Sequence, residues 1–402
     1  EGSTKQPVDC QPPLSAAPRP PRSAGISMAR LRGPPLLLAA LAAAWHPRTA
    51  SGARQSASEA ALEPDEVDAI RFSQYNILAS RMNNEAPWFL LPLNITVKQR
   101  QELLERHAAT AVKDGQTIHP NTFANGYNGL LSEEQRALVT AEEKKSFSWS
   151  VRRDKLLHEV QSWNSDVIAL VEMDQFDDFK QALGPDYDGV FEKRPGRAPD
   201  GSSLFWRKER FQQVGKPLRL AFKDWQPAQK RYSPGRVVVA AALRHIPSER
   251  VLVTAAVHLM KEPASATQDS VRLMEVSQMM IKLAAFVRES KAAGLVVLGD
   301  FNALPESYAY RFMLEGGGEC SLAEWSMHDA FEGLSQDGGG EHCTTRTSAR
   351  RNWIDYIFYS ASSLELAGPP SVERCPGNPI PDEKHASDHL PVHATMRFLN
   401  ER

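Results

Sequence analysis

Cysteine, excess charge, repeats and long apolar runs are all scarce in this 402-residue chain, and each shortage removes a class of protein. The four cysteines, Cys10, Cys320, Cys343 and Cys375, share no CxxC spacing, so a zinc ribbon is unsupported. Three of them follow residue 58; they are read as plain thiols, with room for one disulfide at most. Lys and Arg number 47 against 49 Asp and Glu. Residues 1–58 hold seven basic and two acidic residues, which leaves residues 59–402 at a net −7. That excludes a globally basic nucleic-acid clamp. It leaves room for an enzyme that offsets phosphate charge with metal ions. No solenoid-period repeat is visible, and no L-x-x-L-x-L pattern precedes residue 68, so docking through leucine-rich repeats is not expected. What is present is apolar content of 42%, enough for a sizeable core.

The N-terminal stretch reads as an address. Residues 1–27 are rich in Pro, Ser and Ala without periodicity, a disordered leader or upstream sequence. From Met28, Arg30 and Arg32 precede an apolar run from Pro34 to Trp45, and Ala50-Ser51-Gly52-Ala53 supplies small residues suited to cleavage. Residues 28–58 therefore read as a signal peptide or, being Arg- and Ser-rich and free of acids, a transit peptide. The destination is the secretory pathway or an organelle, mitochondrion or plastid. The run is too short for a stable membrane span. Asn94-Ile95-Thr96 is a glycosylation sequon compatible with secretion.

A catalytic domain is expected over 66–400. Ile70–Tyr75 reads as a strand. Val97–Val112 and Leu131–Lys145 carry helical spacing around a Gly/Asn/Pro-rich loop, which suggests a helical insertion at about 83–146, placed to act as a lid or specificity element. Helices follow at Arg153–Trp163, Asp178–Leu183 and Ser270–Ser290. Strands are expected at Val167–Val171, Ser203–Trp206, Val237–Leu243, Arg250–His258, Leu295–Leu298, Trp353–Tyr359 and Val392–Phe398. This mixed order predicts a two-sheet α/β sandwich with helices on the outside.

Polar residues collect where the apolar strands stop. Asn76 follows IRFSQY, Glu172 follows VIALV, His258 follows VLVTAAV, and Asp300 and Asn302 follow LVVLG. Asp355 interrupts WIDYIFYS, and Asp388-His389 precedes the last strand. Strand-end loops are where α/β proteins build sites. A carboxylate inside an apolar strand needs a partner, and His389 or His258 suits Asp355. Carboxylates and carboxamides without thiolates favour a hard cation, Mg²⁺ or Mn²⁺, over zinc.

GDFN at 299–302, WIDYIFYS at 353–360, SDHLPV at 387–392, YNILAS at 75–80 and the Glu of LVEMD at 170–174 resemble the endonuclease/exonuclease/phosphatase superfamily over residues 68–399. WSVRR at 149–153, DGSSLF at 200–205 and RTS at 346–348 resemble its deadenylase branch, and within it the nocturnin group. The resemblance implies that Glu172, Asn76 and Asp388 serve a Mg²⁺ ion. It implies that Asp300 orients or deprotonates the attacking water and that Asn302 holds the phosphate and Asp300. His389, oriented by Asp355, and His258 would contact the scissile phosphate. Arg207, Lys261 and Arg346 would bind substrate, with Arg194, Arg197 and Trp206 nearby for phosphate contact and base stacking. Val171 replaces the usual Gln, Lys261 is displaced by one, and Ala386 replaces a Pro; these departures touch substrate contacts rather than metal chemistry. Two activities are implied, a 3′–5′ exoribonuclease acting on poly(A) or a phosphatase taking the 2′-phosphate from NADP(H); the leader alone adds a secreted nuclease or sphingomyelin-type phosphodiesterase. The expected partner is an RNA 3′ end or NADP(H), bound by a monomer.

Overall fold

A computed structural model describes residues 68–80, parts of 93–117, and residues 131–226, 231–261, 266–316, 327–335, 341–347 and 350–399. The leader and much of the expected insertion lie outside the described residues. The described part belongs to the unit Leu62–Arg402.

Two sheets form the molecule's centre, as the strand and helix order predicted. The first has the order β15 (Leu364–Leu366), β17 (Val392–Phe398), β1 (Ile70–Asn76), β4 (Val167–Val171), β6 (Gly201–Arg207), β5 (Tyr187–Lys193), with β16 (Ser371–Val372) also on β17. The second runs β11 (Met327–Asp329), β14 (Asp355–Ser360), β10 (Gly294–Asp300), β9 (Val251–His258), β8 (Arg231–His245), β7 (Phe211–Gln226). Hairpins β2 (Val112–Lys113) with β3 (Gln116–Thr117), and β12 (Thr345–Arg346) with β13 (Arg351–Asn352), stand apart.

Period-two alternation explains the layering. On β1, Ile70 and Phe72 enter the core between the sheets, while Tyr75 faces the helices. The helix α1 (Glu133–Glu142) starts with a capping box, Ser132 with Gln135, and runs into a π-helical turn, Glu143–Phe147. α2 (Trp149–Ser162) and α3 (Phe176–Leu183) cover the outer face of the first sheet through Leu156, Val160, Phe179 and Leu183, which meet Ile168 and Leu170. The long α4 (Ala266–Ser290) lays Val276, Met279, Met280, Leu283 and Val287 into the core of the second. α5 (Tyr308–Glu315) caps the same side beyond β10.

The sequence reading misses β5 and β7. β7 carries Gly215, Pro217 and several charges, and it is a sheet edge that pairs only with β8, with register shifts at Val214/Leu218 and Ala221/Lys223. Its apolar pattern is therefore broken, as edge strands allow. The thiol expectation is corrected: Cys343 and Cys375 form a disulfide, Cα atoms 5.0 Å apart. Both lie in a small cluster with Ile380 and Leu390, and no spacing rule could have paired residues 32 apart.

Candidate functional site

Register alone assembles most of the site. β1 and β4 are parallel, with Asn76 opposite Val171, so Asn76 and Glu172 leave the same end of the first sheet. In the second sheet Asp300 stands opposite His258 on β9 and opposite Asp355 on β14. Gly299 keeps β10 tight against β9, since a Cβ there would collide with the Val257 carbonyl. His389 pairs with Thr345 in an isolated bridge, which brings the segment before β17 over the same end.

The two sheets then touch through polar side chains. The apolar alternation of β1 turns polar toward the site: after Ile70 and Phe72 come Gln74 and Asn76 on the inward face. Asn76 Nδ2 donates to Asp300 Oδ2 at 2.9 Å and to Glu172 Oε1 at 3.3 Å. Its Oδ1 accepts from Leu78 N at 3.1 Å. Asn76 thus presents N–H groups to the carboxylates, and its oxygen keeps a second lone pair beside the Leu78 N–H. Gln74 Nε2 donates to Asp355 Oδ1 at 3.1 Å, and Asp355 Oδ2 takes His389 Nδ1 at 2.8 Å. Of the two candidate partners for Asp355, His389 is the one in contact. His258 instead lies with Nε2 3.0 Å from Asn302 Nδ2 and 3.5 Å from Asp300 Oδ2.

The backbone is unusual at the same places. Glu172, Asn302 and Leu78 have φ of 57°, 48° and 53°. The left-handed region costs a non-glycine residue free energy, and such conformations gather at functional sites. Asn302 is steadied by its N–H to Asp300 Oδ1 at 2.9 Å.

Arg152, on α2, ties this arrangement together. Its guanidinium is fully buried and donates to the carbonyls of Phe147, Ile77 and Ala386 at 3.0 Å and of Leu78 at 2.7 Å. The Ile77, Leu78 and Ala386 carbonyls belong to the loops bearing Asn76 and Asp388, and that of Phe147 to the turn before α2. Burial lowers the Arg152 pKa, to about 10. Ser387 Oγ adds a bond to Asn76 O at 2.6 Å, and Thr344 Oγ1 accepts the N–H groups of Ile354 and Asp355 at 3.0 and 3.1 Å.

Electrostatics follow from burial. The Glu172 carboxyl is pushed up to about 7 by burial, then by Asp388 and Asp200. Asp300 is raised by burial and by the neighbouring Asp355. Burial pulls His389 down, but Asp355, Asp388 and Asp300 outweigh it and hold its pKa at about 9. His258 is pushed well down by burial and by Arg236, so its ring is neutral. Buried carboxylates that repel one another are a donor set a cation would relieve. Glu172 fits that part best, because among the described residues only two N–H groups, of Asn76 and Ala79, hold its oxygens. Asp300, Asp355 and His389 also place one ligand atom each within 4.8 Å of one another.

Three expected substrate residues lie differently. Arg207 ends β6, whose start pairs with the end of β4 next to Glu172; Arg207 is thus at the far end of the sheet, where it contacts Asn164, Tyr187 and Asp166. A cavity of about 640 Å³ opens there, lined by Arg71, Asp166, Arg207, Arg210 and Arg397 among others. Trp206 is 2% exposed in the core and offers no face for a base. Arg346 turns its guanidinium to Thr347 O and Gly377 O, while its backbone N–H holds Asp388 O. From this segment it is Arg350 whose guanidinium reaches the site, with Nη2 3.3 Å from Asp388 Oδ2 and 3.2 Å from His389 Nε2. Arg350 stands in a run of arginines, and nothing local distinguishes it from Arg346 or Arg351. Lys261 is half-buried three residues beyond His258. Arg194 pairs with Asp200, and Arg197 is exposed. Gln74 and Arg236 are further site residues the sequence reading passed over; the only signal for Gln74 is the polar turn of the β1 alternation.

Comparison with known proteins identifies the fold and the family. Nocturnin of Xenopus laevis is 25% identical over 327 residues, 76% of this chain and 80% of that protein. The chain spans 60% of the length of human nocturnin. The CCR4-Not complex 3′-5′-exoribonuclease subunit Ccr4 of Saccharomyces cerevisiae is 23% identical over 304 residues, 63% of this chain and 36% of that one. Among solved structures, the human nocturnin catalytic domain with bound sulfate superposes with a TM-score of 0.54 at 21% identity, covering 83% of this chain and 95% of that one. ANGEL2, a 2′,3′-cyclic phosphatase in complex with adenosine-2′,3′-vanadate, gives 0.54 at 19%, covering 82% and 96%. These superpositions establish the fold. The endonuclease/exonuclease/phosphatase family matches residues 146–389, more than half of the chain. The chain therefore belongs to the endonuclease/exonuclease/phosphatase family and is a hydrolase of phosphate esters.

Proposed function

We propose that the chain is a divalent-metal-dependent 3′–5′ exoribonuclease of the deadenylase type. The observation that carries this reading is the bond network joining both sheets, Glu172 and Asp300 to Asn76, and Asp355 to His389. It sets a base, a cation and a metal-ready carboxylate around one point. The yeast relative's name supplies the 3′–5′ direction.

A bound Mg²⁺ or Mn²⁺ would neutralise phosphate charge and lower the pKa of water. Glu172 is the residue to hold it, with Asp388 on the other side of the site. Asp300 takes the proton of the attacking water, its basicity raised by burial and by Asp355. The water oxygen bonds to phosphorus as the bond to the leaving oxygen breaks. His389, kept cationic by Asp355, faces the phosphate together with Arg350, and the Asn302 amide and His258 line the opposite side.

A second reading, NADP(H) 2′-phosphatase, is favoured by one specific observation. Arg207 and Trp206 lie away from the site, which leaves the buried Arg236 and the half-buried Arg194 and Arg350 as the cations for one compact phosphate. Parallel assays of the full chain with Mg²⁺, on a 3′-poly(A) RNA and on NADPH, separate the readings. Chain shortening is the expected result; phosphate release from NADPH alone selects the second reading. Glu172→Ala is the control.

A further inference from the structure

Arg236 enters β8 at the site end and is 5% exposed. Its Nε has no hydrogen-bond partner. Its Nη1 makes one long contact, 3.4 Å to His258 Nδ1. Asn302 Nδ2 donates to Leu259 O at 3.3 Å and sits 3.0 Å from His258 Nε2. The ion pair of Arg236 with Asp200 Oδ2 is 3.8 Å long, beyond hydrogen-bond range.

Asp200 is already engaged. Arg194 Nη1 donates to both its oxygens, at 3.2 and 3.3 Å. The Nε of Arg194 is also buried without a partner. Two guanidiniums thus share Asp200, and each keeps a buried Nε–H without an acceptor among the described residues. An unmet buried donor is unfavourable, more so when charged, so stability does not account for this arrangement. Its place is informative. Asp200 directly precedes β6, where Ser202 stands opposite Val171, the residue before Glu172. Arg236 also acts electrostatically on Glu172.

We propose that Arg236 and Arg194 form an anion subsite beside Glu172 and His258 that takes non-bridging oxygens of the substrate's phosphate. A guanidinium with free N–H groups is matched to phosphate geometry. The subsite deepens the reading of this cleft as a nucleotide phosphoesterase and rests on it for the identity of the ligand.

The test is calorimetric titration of inorganic phosphate into the full chain in EDTA, so that no metal mediates binding. Wild type is compared with Arg236→Gln, Arg194→Gln and Arg236→Lys, with circular dichroism and melting curves as the fold check. Saturable binding to wild type is expected, weakened at least about tenfold in either Gln variant at unchanged melting temperature. Partial recovery is expected in Arg236→Lys, where a point charge remains. If Arg236→Gln does not fold, Arg194→Gln and Arg236→Lys carry the same comparison. Absence of phosphate binding by wild type, or equal affinity in the folded variants, overturns the subsite. Titration needs no turnover, so failure of the exoribonuclease assay would count against that activity without bearing on this result.

Discussion

Asn76 donates its amide to Asp300 across 2.9 Å, and this bond links the first sheet to the second at the catalytic end. The residues are 224 apart in sequence. Each sheet supplies half of the chemistry, Glu172 and Asn76 from one, Asp300, Asp355, His258 and Asn302 from the other. Replacing Asn76 with Ala leaves both carboxylates without their shared donor. Turnover is expected to fall about a hundredfold while the melting temperature moves little, measurable by steady-state kinetics and calorimetry.

Glu172→Ala is expected to abolish turnover and to remove divalent-cation binding, read by Mn²⁺ titration followed by electron paramagnetic resonance. Activity near wild type in that variant would remove the metal assignment.

The Asp355–His389 pair sets a pH limit. The folded-state pKa of about 9 keeps the imidazolium present below that value and loses it as pH rises through it. Asp355→Asn removes the charge that opposes burial, so the alkaline limb of the kcat profile should move down toward the ordinary histidine value, with kcat lowered about a hundredfold. An unmoved alkaline limb would show that another group sets it.

Arg152 spans the loops bearing Asn76 and Asp388. Arg152→Met strands the carbonyls of Phe147, Ile77, Leu78 and Ala386 in the interior. A loss of roughly 3 kcal/mol is expected in urea unfolding, larger than a hydrophobic swap of similar volume would cause elsewhere.

Cys343 lies next to Thr344, whose hydroxyl positions Asp355, and its disulfide to Cys375 closes a loop over residues 343–375. Cys343→Ser with Cys375→Ser should lower stability by about 3 kcal/mol. Reduction by dithiothreitol should lower the melting temperature of wild type and leave the double variant unchanged.

Acid lability should come in part from His393. Burial holds its pKa at about 4, and its Nδ1 lies 2.6 Å from Ser73 Oγ on β1. The unfolded chain binds this proton near pH 6.5, so stability is complete above that pH and falls between 6.5 and 4, by roughly 3 kcal/mol at the limit. His393→Gln should flatten that part of the stability–pH curve.

Sequence alone determined the elements with a local signature. Alternating or fully apolar runs such as VIALV and LVVLG announced their strands, and the polar residue ending each run marked the site, because strand period and strand termination are properties of neighbours in the chain. The short hydroxyl- and amide-bearing blocks likewise pointed to the family. Tertiary structure alone decided three other matters. It chose His389 over His258 as the partner of Asp355, since register and the Thr345 bridge, not spacing, set that distance. It sent Arg207 and Trp206 away from the site, because β6 is antiparallel to β4 and its last residues leave the opposite end. It also picked Arg350 and Arg236 from among many arginines and joined Cys343 to Cys375, for charge and thiol chemistry look the same along a chain until packing decides which groups are buried together.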